Sequence, residues 1–172
     1  MTDALPETIR DAFQSHNGYE LETDHAAVTT TAFEGRVTAT DADADWAHRY
    51  TVTVVVPSLS AAVGEVVGPA VADGWFDTLQ RRLEDAPKAT RASVDLETFE
   101  VDRSPETVQV TYEFTSGDAR QAADIAKTFV EYVEGTYVEG AVPGYDYEPP
   151  VADLLNQAQS GGSQGDRGGT PL

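Results

Sequence analysis

The segment from Trp46 to Pro57 constrains the fold more than any other part of the chain. Its side chains alternate between the two faces of an extended strand, and one face carries only aromatic, histidine and valine side chains: Trp46, His48, Tyr50, Val52, Val54 and Val56. This alternation is typical of a strand with one face in the core and the other towards solvent. Pro57 has no N–H to donate to a neighbouring strand, so the strand should end there. We predict a central sheet strand whose Trp, Tyr and Val side packs under helices.

The other patterns predict helices near both ends of the chain and two groups of strands between them. Periodicity and turn residues give the following elements: helix 6–16; strands 26–33, 36–40 and 46–56, with Glu34-Gly35 as a turn; a helix beginning at Asp73; strands 92–102 and 107–115, with a bulge near Glu97-Thr98; helix 118–139; and a short helix 151–158. We therefore predict an α+β domain over residues 1–158. It has a largely antiparallel five-stranded sheet, element order α-β-β-β-α-β-β-α, and two major helices packed on the sheet. Residues 159–172 are rich in glycine and serine and predict a disordered tail.

The charge balance is strongly acidic. Thirty Asp and Glu residues face 11 Lys and Arg residues, for a net charge of −19, and Lys88 and Lys127 are the only lysines. Concentrated salt screens such repulsion, so the composition favours a protein of a salt-accumulating cell. No basic stripe suited to direct nucleic-acid binding is present. The sequence has no long apolar run, which predicts a cytoplasmic protein without membrane contact.

Motifs for catalysis and cofactor binding are missing from the sequence. There is no cysteine, and no GxSxG, GxGxxG or P-loop pattern. Asp41, Asp43 and Asp45 match the start of a calcium loop, but Trp46 and Val52 stand where that loop needs glycine and glutamate. We therefore predict no catalytic, cofactor-binding or metal-binding residues, and a chain that is more readily explained without enzyme activity than with it.

Three groups of residues are candidates for binding. Trp46, His48 and Tyr50 share the inward face of the central strand and are candidates for a ligand pocket. Arg81 and Arg82 form an adjacent basic pair in an acidic chain, suited either to ion pairs with Asp77, Glu84 and Asp85 or to an acidic partner. A third group is suited either to partner binding or to packing back on the domain: Tyr145, Tyr147, Leu154 and Leu155.

The succession of elements, with the GWF…RRLEDA helix and the DARQAADIAKTFVEYVEGTYVEG helix, resembles an uncharacterised family of small acidic haloarchaeal proteins over about residues 5–157. That family has no assigned activity. The element order is also similar to the secretion-chaperone-like α+β fold, a resemblance that implies a protein-binding sheet face and dimers.

Three functions remain open at this point. The first is a non-enzymatic protein-interaction or chaperone-like module that binds another protein or a second copy of itself, because a complete scaffold carries no recognisable catalytic group. The second is a small-ligand-binding domain with its pocket near Trp46, His48 and Tyr50. The third is an acidic mimic of nucleic acid, with carboxylates spaced like phosphates on one face.

Overall fold

One antiparallel sheet of six strands organises residues 5–159, the part of the chain that the structure, a computed structural model, describes. Residues 1–4 and 160–172 lie outside it, and so does nearly all of the predicted tail 159–172. The strands are β1 (Tyr19–Leu21), β2 (Ala26–Val28), β3 (Glu34–Asp41), β4 (His48–Pro57), β5 (Thr98–Arg103) and β6 (Thr107–Ser116). Their order across the sheet is β1-β2-β3-β4-β6-β5, and every neighbouring pair is antiparallel.

Five α-helices accompany the sheet in the described residues, and a 3-10 turn at Ala86–Ala89 follows the third of them. The helices are α1 (Glu7–Gln14), α2 (Leu59–Val63), α3 (Pro69–Leu83), α4 (Ala119–Glu139) and α5 (151–159). The α+β class and the antiparallel sheet are therefore confirmed. The predicted five strands and two major helices undercount both kinds of element.

The prediction of a central strand is confirmed. β4 lies between β3 and β6, and its residues from Tyr50 onwards alternate strictly between buried and half-buried. The prediction that Trp46 belongs to this strand is wrong, because the strand begins at His48 and the Trp46 side chain is 75% exposed. The alternating pattern in the sequence begins at Trp46, two residues before the chain enters the sheet at His48.

The sixth strand comes from the segment before the predicted sheet. Tyr19–Leu21 pairs with Ala26–Val28, so the sheet has an additional edge strand. The predicted strand 26–33 is shortened to Ala26–Val28. The Thr29 N–H still donates to the Gly18 carbonyl oxygen at 2.9 Å, and the chain then turns towards α4. The N–H groups of Ala32 and Phe33 donate to the Glu134 carboxylate at 2.7 and 3.2 Å, and so are not used in a ladder.

The predicted turn at Glu34-Gly35 is also wrong, since both residues lie in β3. Gly35 is required there by packing rather than by a turn. A Cβ at this position would come within 2.5 Å of Val130 Cγ1 on α4, so the helix lies directly on the strand backbone. The missing side chain thus sets how closely α4 approaches the sheet.

The second hairpin begins later than predicted. β5 begins at Thr98, residues 92–97 are not in a strand, and the register with β6 runs from Thr98 opposite Glu113 to Arg103 opposite Val108. The Glu97 N–H donates to the Glu113 carbonyl oxygen at 2.8 Å, so Glu97 and Thr98 both face Glu113, as expected at the predicted bulge. α3 begins at Pro69 rather than Asp73, because proline suits the first helical position, where its missing N–H costs nothing.

The core lies between one face of the sheet and the helices. Phe129 of α4 contacts Tyr112 and Phe114 of β6, with ring centroids 5.0 and 5.7 Å apart. α3 packs beside α4 through Trp75 and Tyr137, whose rings meet edge to face at 5.7 Å. All of these aromatic side chains are buried, so α4 is the central helix of the covering layer.

Candidate functional site

A cleft of about 550 Å³ opens where the first residues of β4 meet α1 and the start of α4. We call it the Trp46 cleft. The residues of interest in its lining are Asp11 of α1, Trp46 just before β4, His48 and Tyr50 at the start of β4, and Asp118 and Arg120 at the start of α4. The structure thus brings Trp46, His48 and Tyr50, the predicted pocket residues, around one cavity. Its volume falls within the roughly 300–1,000 Å³ that is usual for small-molecule sites.

Contacts between α4 and the residues that follow α1 keep the walls of the cleft together. His16, just after α1, lies 2.7 Å from Asp124 of α4 through its Nε2 atom. The hydroxyl of Tyr19, the first residue of β1, donates to the Ala123 carbonyl oxygen at 2.6 Å. These two contacts tie the segment after α1 to the first turns of α4.

Tyr50 supplies a rigid floor to the cleft. Its ring is stacked against Phe114 at 5.5 Å and against Phe13 at 6.2 Å, with interplanar angles of 18° and 17°. The residue is 1% exposed. Because the ring is packed into the core, it is the hydroxyl group of Tyr50 that a ligand can contact.

The Tyr50 hydroxyl differs from those of the other buried tyrosines. Three of them donate to backbone carbonyl oxygens at 2.6–3.0 Å: Tyr19 to Ala123, Tyr112 to Leu83 and Tyr137 to Pro57. Within residues 5–159 the Tyr50 hydroxyl has no hydrogen-bond partner, and no fully occluded side-chain oxygen or nitrogen there is unsatisfied. The hydroxyl must therefore keep some access to solvent, and the cleft that Tyr50 lines provides it.

Burial raises the pKa of Tyr50 to about 12, and the nearby Asp118 carboxylate adds to the rise. The hydroxyl is therefore protonated at neutral pH and can donate a hydrogen bond into the cleft. The Tyr50 hydroxyl is therefore a solvent-accessible donor on the floor of the cleft, where water or a ligand can accept its hydrogen bond.

Trp46 forms the outer wall. A Cβ on Gly117 would lie 2.5 Å from Trp46 Cε3 and 2.7 Å from Cζ3, so the six-membered ring of the indole rests on the glycine backbone. The side chain is nevertheless 75% exposed. Gly117 thus lets a large aromatic side chain stand beside the start of α4 while most of its surface remains open.

His48 lies deeper in the cleft, with 26% of its side chain exposed. Its Nε2 atom is 3.8 Å from Asp41 Oδ1, too far for a hydrogen bond. The imidazole is therefore free to donate to or accept from a ligand.

Charged groups of both signs border the cleft. The Asp118 side chain caps α4 by accepting from the N–H groups of Arg120 and Gln121 at 3.0 and 3.1 Å. Asp11 lines the α1 side and Arg120 the α4 side, and both residues are exposed. Sequence reasoning predicted a helix beginning at Asp118 but assigned neither Asp118 nor Arg120 to a site. It missed Asp11 as a site residue, because no local signal shows that α1 meets the start of α4.

The predicted basic pair lies outside the cleft. Arg82 of α3 forms an ion pair with Glu139 of α4. The partners predicted from the sequence were the acidic residues close to it along the chain: Asp77, Glu84 and Asp85. The Arg81 Nε donates to the Asp77 carbonyl oxygen at 3.4 Å. Arg82 also borders an apolar hollow of about 310 Å³ between α3 and the end of α4.

The predicted partner strip also lies outside the cleft and packs partly against the core. All four of its members are half-buried against core residues: Tyr145, Tyr147, Leu154 and Leu155. The Tyr147 hydroxyl is used within the domain, because it accepts from the Val142 N–H at 2.7 Å and donates to the Val142 carbonyl oxygen at 2.9 Å.

Two further facts concern metals and membranes. Among residues 5–159, no three His, Asp or Glu side chains converge in a way that would hold a metal ion, and this includes Asp41, Asp43 and Asp45. In the same part of the chain, no helix combines the length and the apolar character needed to cross a bilayer.

Fold and site together define an α+β domain with a small, mixed-charge cleft at one end of its sheet. The chain belongs to a family of unknown function, DUF5813, whose model matches residues 10–157. No curated protein and no solved structure matches the chain. Membership of an uncharacterised family is therefore confirmed, whereas the haloarchaeal origin and the likeness to the secretion-chaperone-like fold stay predictions.

Proposed function

We propose that this protein is a small-ligand-binding domain and that the ligand occupies the Trp46 cleft. The observation that carries the proposal is the Tyr50 hydroxyl, which opens onto the cleft without a protein acceptor in residues 5–159, while the hydroxyls of three other buried tyrosines all have one. A ligand acceptor would satisfy this group. The exposed indole of Trp46 and the free imidazole of His48 would supply further contacts.

The experiment is a melting series against a panel of amino acids, amines, carboxylic acids, sugars and nucleosides. A ligand present at 100 times its Kd stabilises the folded state by about 2.7 kcal/mol. For a domain of this size that corresponds to a rise in Tm of about 5–10 °C. We expect at least one compound class to produce such a rise.

Two tyrosine variants locate the binding. Tyr50→Phe should abolish or strongly reduce the rise in Tm. Tyr145→Phe is the matched control, because its hydroxyl also has no hydrogen-bond partner within residues 5–159 and lies outside the cleft. A panel without a stabilising compound, or an equal effect of the two variants, would overturn the proposal.

A second candidate function is that of a protein-interaction or chaperone-like module. The observation that favours it is the hollow between α3 and the end of α4, which is lined by Val71, Trp75 and Leu79. Val71 is 40% exposed, and Val66 is 95% exposed. Sedimentation velocity of the wild type and of Val71→Asp tests whether this surface joins two copies: a dimer that the variant dissociates supports it, and a monomer in both removes self-association.

The acid excess has a separate proposed role, as an adaptation to the cytoplasm of a cell that accumulates salt. Nine acidic side chains of residues 5–159 lie within 4.0 Å of a basic side chain. The other acidic side chains in this range, which are the majority, have no basic group within that distance. Repulsion among the others is screened only in concentrated salt. The competing explanation is mimicry of nucleic acid, which requires a basic protein partner instead of salt.

A further inference from the structure

The charges around the Trp46 cleft restrict the chemistry of its ligand. Asp11 and Asp118 provide two carboxylates, and Arg120 provides one guanidinium. In a chain of net charge −19, most basic side chains are in ion pairs, such as those of Arg36, Arg49, Arg82 and Arg103. Arg120 has neither an ion pair nor a side-chain hydrogen bond within residues 5–159. A cation thus remains available beside the cleft although carboxylates are abundant.

A ligand of a single charge meets an opposing group in this cleft. An anion that approaches Arg120 also approaches Asp118, two residues away on the same turn, and enters the field of an acidic protein. A cation that approaches Asp118 meets Arg120. A molecule that carries both charges can place each one beside its opposite and has no net charge for the protein field to repel.

The aromatic groups assign the two ends of such a molecule. The Tyr50 hydroxyl is a donor at neutral pH and suits a carboxylate. Because the Asp118 carboxylate is near this hydroxyl, a ligand carboxylate there needs a positive charge beside it, which Arg120 and the ligand's own cation would supply. Trp46 rests on Gly117, next to Asp118, so its open indole surface and the Asp118 carboxylate are neighbours. An indole face and a carboxylate together favour an ammonium group, especially an alkylated one.

We propose that the Trp46 cleft binds a small zwitterion, an alkylated ammonium joined to a carboxylate by a short linker. Arg120 and the Tyr50 hydroxyl hold the carboxylate, and Trp46 with Asp118 holds the ammonium. This inference rests on the proposed ligand-binding function and adds the class of ligand to it.

Three compounds of nearly equal shape test the charges one at a time. Glycine betaine carries both charges, choline lacks the carboxylate, and 3,3-dimethylbutanoate replaces the ammonium nitrogen with carbon. Binding is followed by the indole N–H cross-peaks in ¹⁵N–¹H NMR spectra at one fixed KCl concentration. The chain has two tryptophans, and Trp75, 8% exposed, serves as the internal reference for Trp46.

We expect glycine betaine to shift the Trp46 cross-peak and leave that of Trp75 in place, with each single-charge analogue binding about tenfold more weakly. Arg120→Gln should weaken betaine binding about tenfold and leave choline binding unchanged. Arg91→Gln is the matched control, because Arg91 also has no ion pair within residues 5–159 and lies away from the cleft. It should change neither.

Equal or tighter binding of choline would make the site a cation site, and equal or tighter binding of 3,3-dimethylbutanoate would make it an anion site. Either result would overturn the proposal that the ligand is a zwitterion, but it would still support the ligand-binding function. Failure of all three compounds also overturns the inference, and the wider melting panel then decides the function independently.

Discussion

Phenylalanine in place of Tyr112 or Tyr50 separates a structural hydroxyl from one that is available to a ligand. The Tyr112 hydroxyl donates to the Leu83 carbonyl oxygen at 2.7 Å, and both residues are fully buried. Leu83 is the last residue of α3, and the residue four positions later is Pro87, which has no N–H to donate. Tyr112→Phe therefore removes a donor from a buried helix-end carbonyl that has few alternatives.

The expected cost of Tyr112→Phe is about 1–3 kcal/mol, the usual penalty for an unsatisfied buried polar group. For a domain of this size each kcal/mol lowers Tm by about 2–4 °C. Tyr50→Phe removes a hydroxyl with no acceptor in residues 5–159, so we expect a change within about 0.5 kcal/mol.

Urea unfolding monitored by far-ultraviolet circular dichroism, with Tm measured in parallel, provides both free energies. The two variants lose the same atom from the same residue type in the same core, so each serves as the control for the other. A loss from Tyr50→Phe as large as that from Tyr112→Phe would show that the Tyr50 hydroxyl has a structural partner. The Tyr50 hydroxyl would then provide no evidence for a ligand site.

Three further predictions concern packing, salt and pH. Gly35→Ala should destabilise the fold by about 1–3 kcal/mol, because its Cβ would come within 2.5 Å of Val130 Cγ1. Gly135→Ala, in open space on α4, should stabilise it by about 0.5–1 kcal/mol, and the same sign for both would contradict the packing. Tm at neutral pH should rise from about 0.1 M to above 1 M KCl, where the screening length falls from about 10 to 3 Å, and a flat series would favour the mimic. The Thr115 hydroxyl lowers the pKa of Glu97, so its stabilisation is present above the unfolded-state pKa and is lost as pH falls through the folded-state value. Glu97→Gln should therefore be less stable than wild type at pH 7, and a difference that persists at pH 3 would refute the assignment.

The sequence predicted the elements whose evidence is local. The alternation from Tyr50 to Val56 identified the central strand, and the apolar stripe from Ala122 to Tyr137 identified the central helix. Both patterns depend only on neighbouring residues along one element, so they are visible without knowledge of the fold.

The errors arose where distant residues decide the local structure. Ala32 and Phe33 lie outside the sheet, and their N–H groups donate to Glu134, about a hundred positions later. Gly35 was predicted to be a turn residue, but glycine is needed at this position because Val130 of α4 packs on the strand backbone there. Trp46 continues the strand pattern by sequence, but the chain turns there and the indole rests on Gly117.

The candidate site was predictable in the same uneven way. Trp46, His48 and Tyr50 are close in sequence, so the pattern of one segment grouped them. Asp11 and Arg120 come from two helices more than a hundred residues apart, and their meeting depends on how α1 and α4 pack. The unsatisfied hydroxyl of Tyr50 is a property of the folded core, and no sequence pattern distinguishes it from Tyr112.

The most direct test of ligand binding is a crystal structure of the protein with the compound that raises Tm most. We expect the compound to lie in the Trp46 cleft with an acceptor atom about 2.5–3.0 Å from the Tyr50 hydroxyl oxygen and its body against Trp46. A compound bound in the hollow between α3 and α4, or a Tyr50 hydroxyl that donates to a protein atom while the cleft holds only water, would contradict it.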